Sequence, residues 1–359
     1  MHLDSHRVAI LVPTKGRSGF IRRMLGYYES IGSPHPIYIG DASGDDVAAE
    51  LLAYIDTLRI IVKYFHWQGV GPNQTIYMLA QKALEDKFKF CAFHGDDDCF
   101  VPDSLTLTAD FLISNPDYHT CQGRGALFTL DRPGPNGVLA TIDDYWGVNY
   151  LDGESGLARL KYFVDHYYVL QFSTHRTADF VKLSEDYAEL SNDGVGELLH
   201  CYSFALQGRS KFLDCLYLFR QSHPAVHHPL LWDWLLQPEW GPDIQKMINF
   251  LAQRLADVDG LPYSRAKVEI TEVVRKILER TARYESKRNT QGILNTLILS
   301  FRSILPRCAK LIMRKLVSSP RDLSIMYSEK SVYYQQFVPV WNSVSVDSDQ
   351  RNSVTQLPL

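Results

Sequence analysis

Three consecutive carboxylates, Asp96-Asp97-Asp98, follow an apolar run within the stretch Cys91–Pro102, CAFHGDDDCFVP. Aspartate is a poor strand former and neighbouring like charges repel. Such a cluster at the end of a buried strand has two readings. It is a solvated acidic turn, or its oxygens hold a hard divalent cation, Mg²⁺ or Mn²⁺, that bridges the phosphates of a substrate. A cation held there would neutralise charge on a departing diphosphate. Alternate carboxylates project differently from an extended turn. Asp96 and Asp98 can therefore serve substrate and metal separately, with Asp97 on the substrate side without a separate task.

Other groups with chemistry to offer fall at similar places. Asp41 closes the run PIYIG; it either accepts from a uracil N–H or a ribose hydroxyl, or caps the turn Asp41-Ala42-Ser43-Gly44. Pro13-Thr14-Lys15-Gly16-Arg17 lies between a strand and a helix, where backbone N–H groups suit phosphate or base edges and Arg17 adds charge. It is neither a Walker loop nor a GxGxxG turn. Arg220 and His223 follow the last aliphatic strand; the first is a candidate for the phosphates, and the second is either a ligand of the metal or an ordinary surface or capping histidine. Asp193 and Glu197 flank a helix start. Asp193, with Glu197 next in line, is the candidate base that takes a proton from an acceptor hydroxyl; the plainer reading of Asp193 is an N-cap.

The elements that must carry these residues alternate. Val8–Val12, Pro36–Gly40, Ile60–Phe65 and Phe88–Phe93 read as strands; Phe20–Ile31, Val47–Leu58 and Gln74–Glu85 between them read as helices. That order predicts an α/β fold with a doubly wound, mainly parallel sheet flanked by helices. Ligands of such sheets bind outside the carboxyl ends of the strands, where Pro13–Arg17, Asp41–Ser43, Gly69–Asn73 and Asp96–Asp98 all fall. Further on, Pro102–Asn115 reads as a helix and Tyr118–Leu130 as a strand. Arg132–Gly156 reads as a long loop, Lys161–Ser173 as a strand or hairpin, Val195–Gln207 as a helix and Lys211–Phe219 as the last strand. The expected organisation is a catalytic domain over 1–225, a helical subdomain over 226–320 and an extension over 321–359 that ends in a loose tail from Ser343.

The set as a whole resembles the GT-A fold glycosyltransferases, nearest to the inverting family 2 type. The resemblance rests on Val8–Arg17 (VAILVPTKGR), the Asp41-Ala42-Ser43 strand end, Gly71–Asn73 and Phe93–Asp98 in that order, and spans about residues 7–225. It implies a metal-dependent hexosyl transfer from a nucleotide-diphosphate sugar, UDP-sugar favoured, to a hydroxyl of a glycan or lipid-linked acceptor, with inversion, in polysaccharide or glycoconjugate synthesis. On that resemblance Pro13, Thr14 and Arg17 line the nucleotide pocket, Asp41 reads the base and Asn73 supports the ribose loop. Asp96 approaches ribose or sugar, Asp98 binds Mn²⁺ or Mg²⁺, and Asp193 is the base. Two departures stand out: Asp-Ala-Ser replaces the commoner Asp-Asp-Gly-Ser, and Asn192-Asp193 replaces an acidic pair.

Two further readings stay open. A sugar nucleotidyltransferase shares this kind of sheet but favours a more glycine-rich first loop, and a carbohydrate-binding protein with a decayed site would keep the fold alone. The formal net charge of −4 gives no sign of nucleic acid as a partner. Six scattered cysteines without CxxC spacing, no signal-peptide core and no long apolar run lead us to expect a cytoplasmic protein. Residues 287–321 carry eight Lys or Arg and no acid, interleaved with apolar residues. Such a segment either lies on the inner face of an anionic membrane or packs on the domain with its basic face in water.

Overall fold

Strand and helix alternate through the first hundred residues of the computed structural model as the apolar spacing predicts. Described are residues 6–145, 150–223, 237–302 and 329–345, with backbone alone for 283–302 and 332. The run is β1 (Val8–Thr14), α1 (Ser18–Ser30), β2 (Ile37–Asp41), α2 (Asp45–Ile55), β3 (Val62–His66), α3 (Pro72–Glu85) and β4 (Phe90–Phe93). There follow β5 (Cys99–Phe100), α4 (Pro102–Ser114), β6 (Tyr118–Leu130), β7 (Leu139–Asp144), α5 (Gly156–Asp165), β8 (Thr174–Arg176), α6 (Thr177–Ala188), α7 (Asp193–Gln207) and β9 (Arg209–Gln221). Helices α8 (Gly241–Asp259), α9 (Tyr263–Arg302) and α10 (Val332–Val344) complete the described chain.

The strands form one sheet in the order β3-β2-β1-β4-β8-β6-β9-β5, with β7 on the side of β6. β1 pairs in parallel with both β2 and β4, and β2 with β3. β8 is antiparallel to both β4 and β6, and β9 is parallel to β6. β6 and β9 therefore run in the same direction as β1–β4, and the carboxyl ends of all six lie at one edge of the sheet. Val8–Val12 are fully buried, which is why β1 reads as an unbroken apolar run rather than an alternating one.

The structure corrects two sequence expectations. Lys161–Ser173 is not a strand or hairpin: α5 ends at Asp165 and a 3₁₀ turn occupies Leu170–Phe172. Ser155 caps α5 by accepting from Ala158 N, and Leu160, Phe163 and Val164 are buried at helical spacing, so period and cap outweigh the β-branched and aromatic composition. Arg132–Gly156 is not all loop, because β7 pairs with β6 inside it. The extension expected over 321–359 includes α10, whose Phe337, Val340, Trp341 and Val344 are buried, and the loose tail expected from Ser343 falls, beyond residue 345, outside the described residues. The helical subdomain expected over 226–320 is helical across α8 and α9. Of the basic stretch, 287–302 lies in α9 and the remainder falls outside the described residues. No helix among the described residues is long and apolar enough to cross a membrane.

Several core histidines are held neutral. Val8 N donates to His35 Nδ1 at 3.0 Å, so the ring proton sits on Nε2, 3.0 Å from the Pro102 carbonyl. Burial lowers the pKa of His35 to about 4 and that of His175 to about 3, and it holds His200 well below the ordinary value. The unfolded chain takes up these protons near pH 6.5 while the native chain does not. The stabilisation is therefore complete above pH 6.5 and is lost as pH falls from 6.5 towards 4. The urea midpoint is expected to drop steeply over that window, each histidine contributing about 1.4 kcal/mol per pH unit in the steep part. A midpoint unchanged from pH 7 to pH 5 would refute this.

Candidate functional site

The acidic triplet sits on a tight turn beyond β4, closed by Asp98 N donating to Gly95 O at 3.1 Å. Helix α1 fixes this turn from below. Phe100 N donates to Tyr28 Oη at 2.8 Å, leaving that hydroxyl to donate to His94 Nε2 at 3.0 Å. His94 Nδ1 then donates to the Gly95 carbonyl at 2.6 Å. The relay needs a neutral imidazole, and burial supplies it by lowering the pKa of His94 to about 4. A Cβ on Gly95 would lie 2.6 Å from Asp97 Oδ1. Gly95→Ala is thus expected to push the Asp97 side chain off its partners while the sheet stays folded. Diminished ligand binding with a melting temperature within a few degrees of the parent chain would check it.

Asp96 and Asp98 are buried, Asp97 is half-buried, and each meets a cation. Asp96 Oδ2 accepts from Thr14 Oγ1 at 2.7 Å, and Asp96 Oδ1 lies 2.9 Å from Arg17 Nη1. Asp97 Oδ2 accepts from Arg17 Nη2 at 2.9 Å and from His223 Nε2 at 2.7 Å; Nη2 and Nε2 are themselves 3.0 Å apart. Asp98 Oδ2 accepts from Arg220 Nε at 2.9 Å, and its Oδ1 from Gln221 N at 3.3 Å. Burial pushes the carboxyls of Asp96 and Asp98 above the usual range, against the pull of Arg17 and Arg220 respectively. For Asp97 burial is outweighed by the His223 and Arg17 bonds, and its carboxyl is held below the usual range. The triplet therefore does not titrate as three equal groups. Asp97 is the one most firmly ionised.

The cluster spans distant parts of the chain. Arg17 lies over the Phe20 ring, 4.4 Å from its centroid, and Phe20 stacks on His223 at 4.8 Å. Arg220 is sandwiched by Tyr145 at 4.9 Å and Phe172 at 4.6 Å, and its Nη1 donates to Tyr145 Oη. The candidate residues thus converge in part: Thr14, Arg17, Asp96, Asp97, Asp98, Arg220 and His223 form one bonded group.

Others lie beside that group. Pro13 lies within β1 opposite Gly40. Asp41 is at its expected strand end but has no exposure: Oδ1 accepts from Ser43 N at 2.8 Å and Oδ2 from Tyr64 Oη at 2.8 Å. The bonds observed are those of a turn aspartate, and Ser43 passes the constraint on by accepting from Gly16 N at 2.7 Å. Asn73 is buried in the first turn of α3, and its Nδ2 has no partner among the described residues. A Cβ on Gly196 would sit 2.7 Å from that nitrogen, so the glycine lets α7 close on Asn73.

Asn192, not Asp193, caps α7 by accepting from Val195 N at 2.9 Å, and Asp193 is the first helical residue. The cap loop is tied to α8, since Asp243 Oδ2 accepts from Asn192 N at 2.8 Å. One turn along, Glu197 accepts from Tyr167 Oη at 2.9 Å and raises the Tyr145 hydroxyl's pKa, adding to the larger effect of burial and opposing Arg220. Glu197 and Asp193 both act electrostatically on Tyr187, and burial is the larger cause of that hydroxyl's raised pKa.

Sequence reasoning missed Arg23, Tyr145, Gln221 and Tyr64. Gly95 was the visible clue, a glycine directly before an acidic run. Arg23 gave none, because an arginine on an amphipathic helix reads as solvated until the fold buries it.

A divalent cation can be tested against the donor set. Asp98 fits poorly as its ligand: the side chain is 1% exposed and both oxygens already accept from Arg220 and Gln221. Asp97 and His223 fit better, since a carboxylate oxygen and an imidazole nitrogen converge on one spot, now shared with Arg17 Nη2. No group of three or more His, Cys, Asp or Glu side chains converges as a metal site among the described residues. Remaining ligands would have to be phosphate oxygens and water, as is usual for Mg²⁺.

No protein-family model matches the sequence, and no curated protein matches it. Among solved structures the chain is similar to S. aureus TarS 1–349, with TM-score 0.48 and 16% identity over 75% of this chain and 70% of that one. TarS 1–349 in complex with UDP-GlcNAc gives TM-score 0.48 and 15% identity over 75% and 71%. For the longer TarS chain the values are 0.46 and 15%, over 76% of this chain and 43% of that one. The similarity is one of architecture: a mixed, mostly parallel sheet flanked by helices.

Proposed function

We propose that the chain is a glycosyltransferase that takes a nucleotide-diphosphate sugar as donor and transfers the sugar to a hydroxyl. The observation that carries this reading is the hydrogen-bonded, partly buried cluster of Thr14, Arg17, Asp96, Asp97, Arg220 and His223 at the carboxyl edge of the parallel strands. Loop residues from β1, β4 and β9 meet there, at the place where a doubly wound sheet binds nucleotides.

In this reading Asp97 and His223 hold Mn²⁺ or Mg²⁺, which would offset the charge of the leaving diphosphate. Arg17 and Arg220 supply guanidiniums for the phosphates, with donor geometry suited to bidentate contacts. Thr14 orients Asp96 towards ribose or sugar, and the unpartnered Nδ2 of Asn73 is a donor for the nucleotide side. Asp193, or Glu197 one turn later on the same helix, would accept the acceptor's proton. Anomeric inversion follows if one of them acts alone as base. The basic stretch 287–321 would bring a lipid-linked acceptor's membrane surface near, which co-sedimentation with anionic vesicles tests.

The direct test is calorimetry with UDP, GDP and ADP, with and without Mn²⁺, followed by nucleoside-diphosphate release from a panel of nucleotide-sugars. We expect cation-dependent binding of one base, with UDP the first to try. Binding of none of them, with or without Mn²⁺, would sink the reading. Release of pyrophosphate from a nucleoside triphosphate and a sugar phosphate would point instead to a nucleotidyltransferase.

A further inference from the structure

Arg23 lies two turns into α1, and its guanidinium is spent on three different segments. Nη2 donates to the Asp97 carbonyl at 2.5 Å. Nη1 donates to the Pro135 carbonyl at 2.7 Å and to Gln221 Oε1. Its planar face lies near the rings of Phe20 and Phe128, 5.5 and 6.0 Å from their centroids. One side chain therefore fixes the backbone of the acidic turn, the end of β9 and the loop 131–138.

That loop has a second anchor. Its base is closed by Asp131 N donating to Val138 O at 2.9 Å and Val138 N to Asp131 Oδ1 at 2.8 Å. Its tip reaches the end of α10. Gly137 N donates to the Val344 carbonyl at 2.9 Å, and Asn136 Nδ2 to the Ser343 carbonyl at 3.1 Å. The last carbonyls of a helix have no partner within it, so the loop caps α10. The helix itself is held on α1 and β9, with Phe337 at 5.9 Å from Phe219 and Tyr333 Oη donating to Asp214 at 2.9 Å.

We propose that Arg23 is a positioning residue that sets the Asp97 turn, and that α10 sets Arg23 through the loop 131–138. The C-terminal helix is then part of the site's support although it touches none of the triplet. The bearing on ligand affinity rests on the nucleotide-sugar reading above; the positioning does not.

Amide hydrogen exchange on the full chain separates the two. In Arg23→Met, exchange over 95–98 is expected to rise about tenfold, with β2 unchanged as an internal control. Phe337→Asp, which puts a charge at the buried face of α10, is expected to do the same over 131–138 and 95–98 without altering Arg23. Should Phe337→Asp also loosen β2, the milder Asn136→Ala replaces it as the distal variant. Unchanged exchange over 95–98 in Arg23→Met overturns the role of Arg23. Loosening confined to 131–138 in the distal variant overturns the link to α10. Affinity for UDP with Mn²⁺ is expected to fall about tenfold in Arg23→Met and less in Arg23→Lys, which keeps the charge and one contact. If exchange responds as expected while the parent chain binds no UDP, the positioning stands and the nucleotide reading fails.

Discussion

Asp97→Asn is expected to lose cation-dependent nucleotide binding and to lower transfer about 100- to 1,000-fold, the scale on which a single group placed against developing charge acts. The fold is expected to survive, because Arg17 keeps Asp96 as a partner at 2.9 Å and the turn keeps its backbone bonds. His223→Ala should act in the same direction, since its Nε2 is the other donor atom at the same spot. Calorimetry with Mn²⁺ and UDP, paired with a thermal melt, makes the measurement. Retained Mn²⁺ dependence in both variants would remove the cation from Asp97 and His223. An Arg17→Ala variant sharpens the picture. It frees the position that Nη2 now shares between the two ligands, so weak Mn²⁺ binding without nucleotide should improve while nucleotide affinity falls.

The second large effect is on stability and falls on Asp98. Its carboxylate is 1% exposed and bonded to Arg220, whose side chain is 29% exposed. Removing one partner of a buried ion pair leaves the other uncompensated, at a cost of about 3–5 kcal/mol. Asp98→Asn should sit near the lower end of that range, since Arg220 can still reach some water and the Tyr145 hydroxyl. Arg220→Met should cost more, because it strands the deeper charge. Replacing both, Asp98→Asn with Arg220→Met, should cost less than the sum of the two single changes. A double-mutant cycle by urea denaturation reads the coupling directly; additive losses would mean that the pair contributes nothing as a pair. The two predictions together separate Asp97 from Asp98. An Asp98 variant that folds normally and loses only its metal response would restore Asp98 as the ligand.

The sequence carried the framework well because that framework is local. Strand β1 is a continuous apolar run since both its faces are covered, and Pro72 and Pro102 start α3 and α4 where a missing N–H is harmless. Strand β6 matches its predicted bounds, Tyr118–Leu130. Composition misled where period mattered more. The aromatic run through Phe163 and Tyr168 suggested a strand, yet its buried residues keep helical spacing against α7. Strand β7 was hidden by the glycines and prolines just before it. Helix α10 was hidden by Pro339 within it and by the polar residues that follow.

The sequence by itself determined that carboxylates, an arginine and polar loops gather at one edge of an α/β sheet, because strand order and strand ends are set by local apolar periodicity. Which carboxylate does what was decided by tertiary structure alone. Three adjacent aspartates are chemically equal along the chain, and they become different only when α1 and β9 bring Arg17, Arg23, Arg220 and His223 to them from far away in sequence. Burial then makes the pairing matter. Asp98 is locked to Arg220, Asp96 is held by Thr14 and Arg17, and Asp97 is shared between Arg17 and His223.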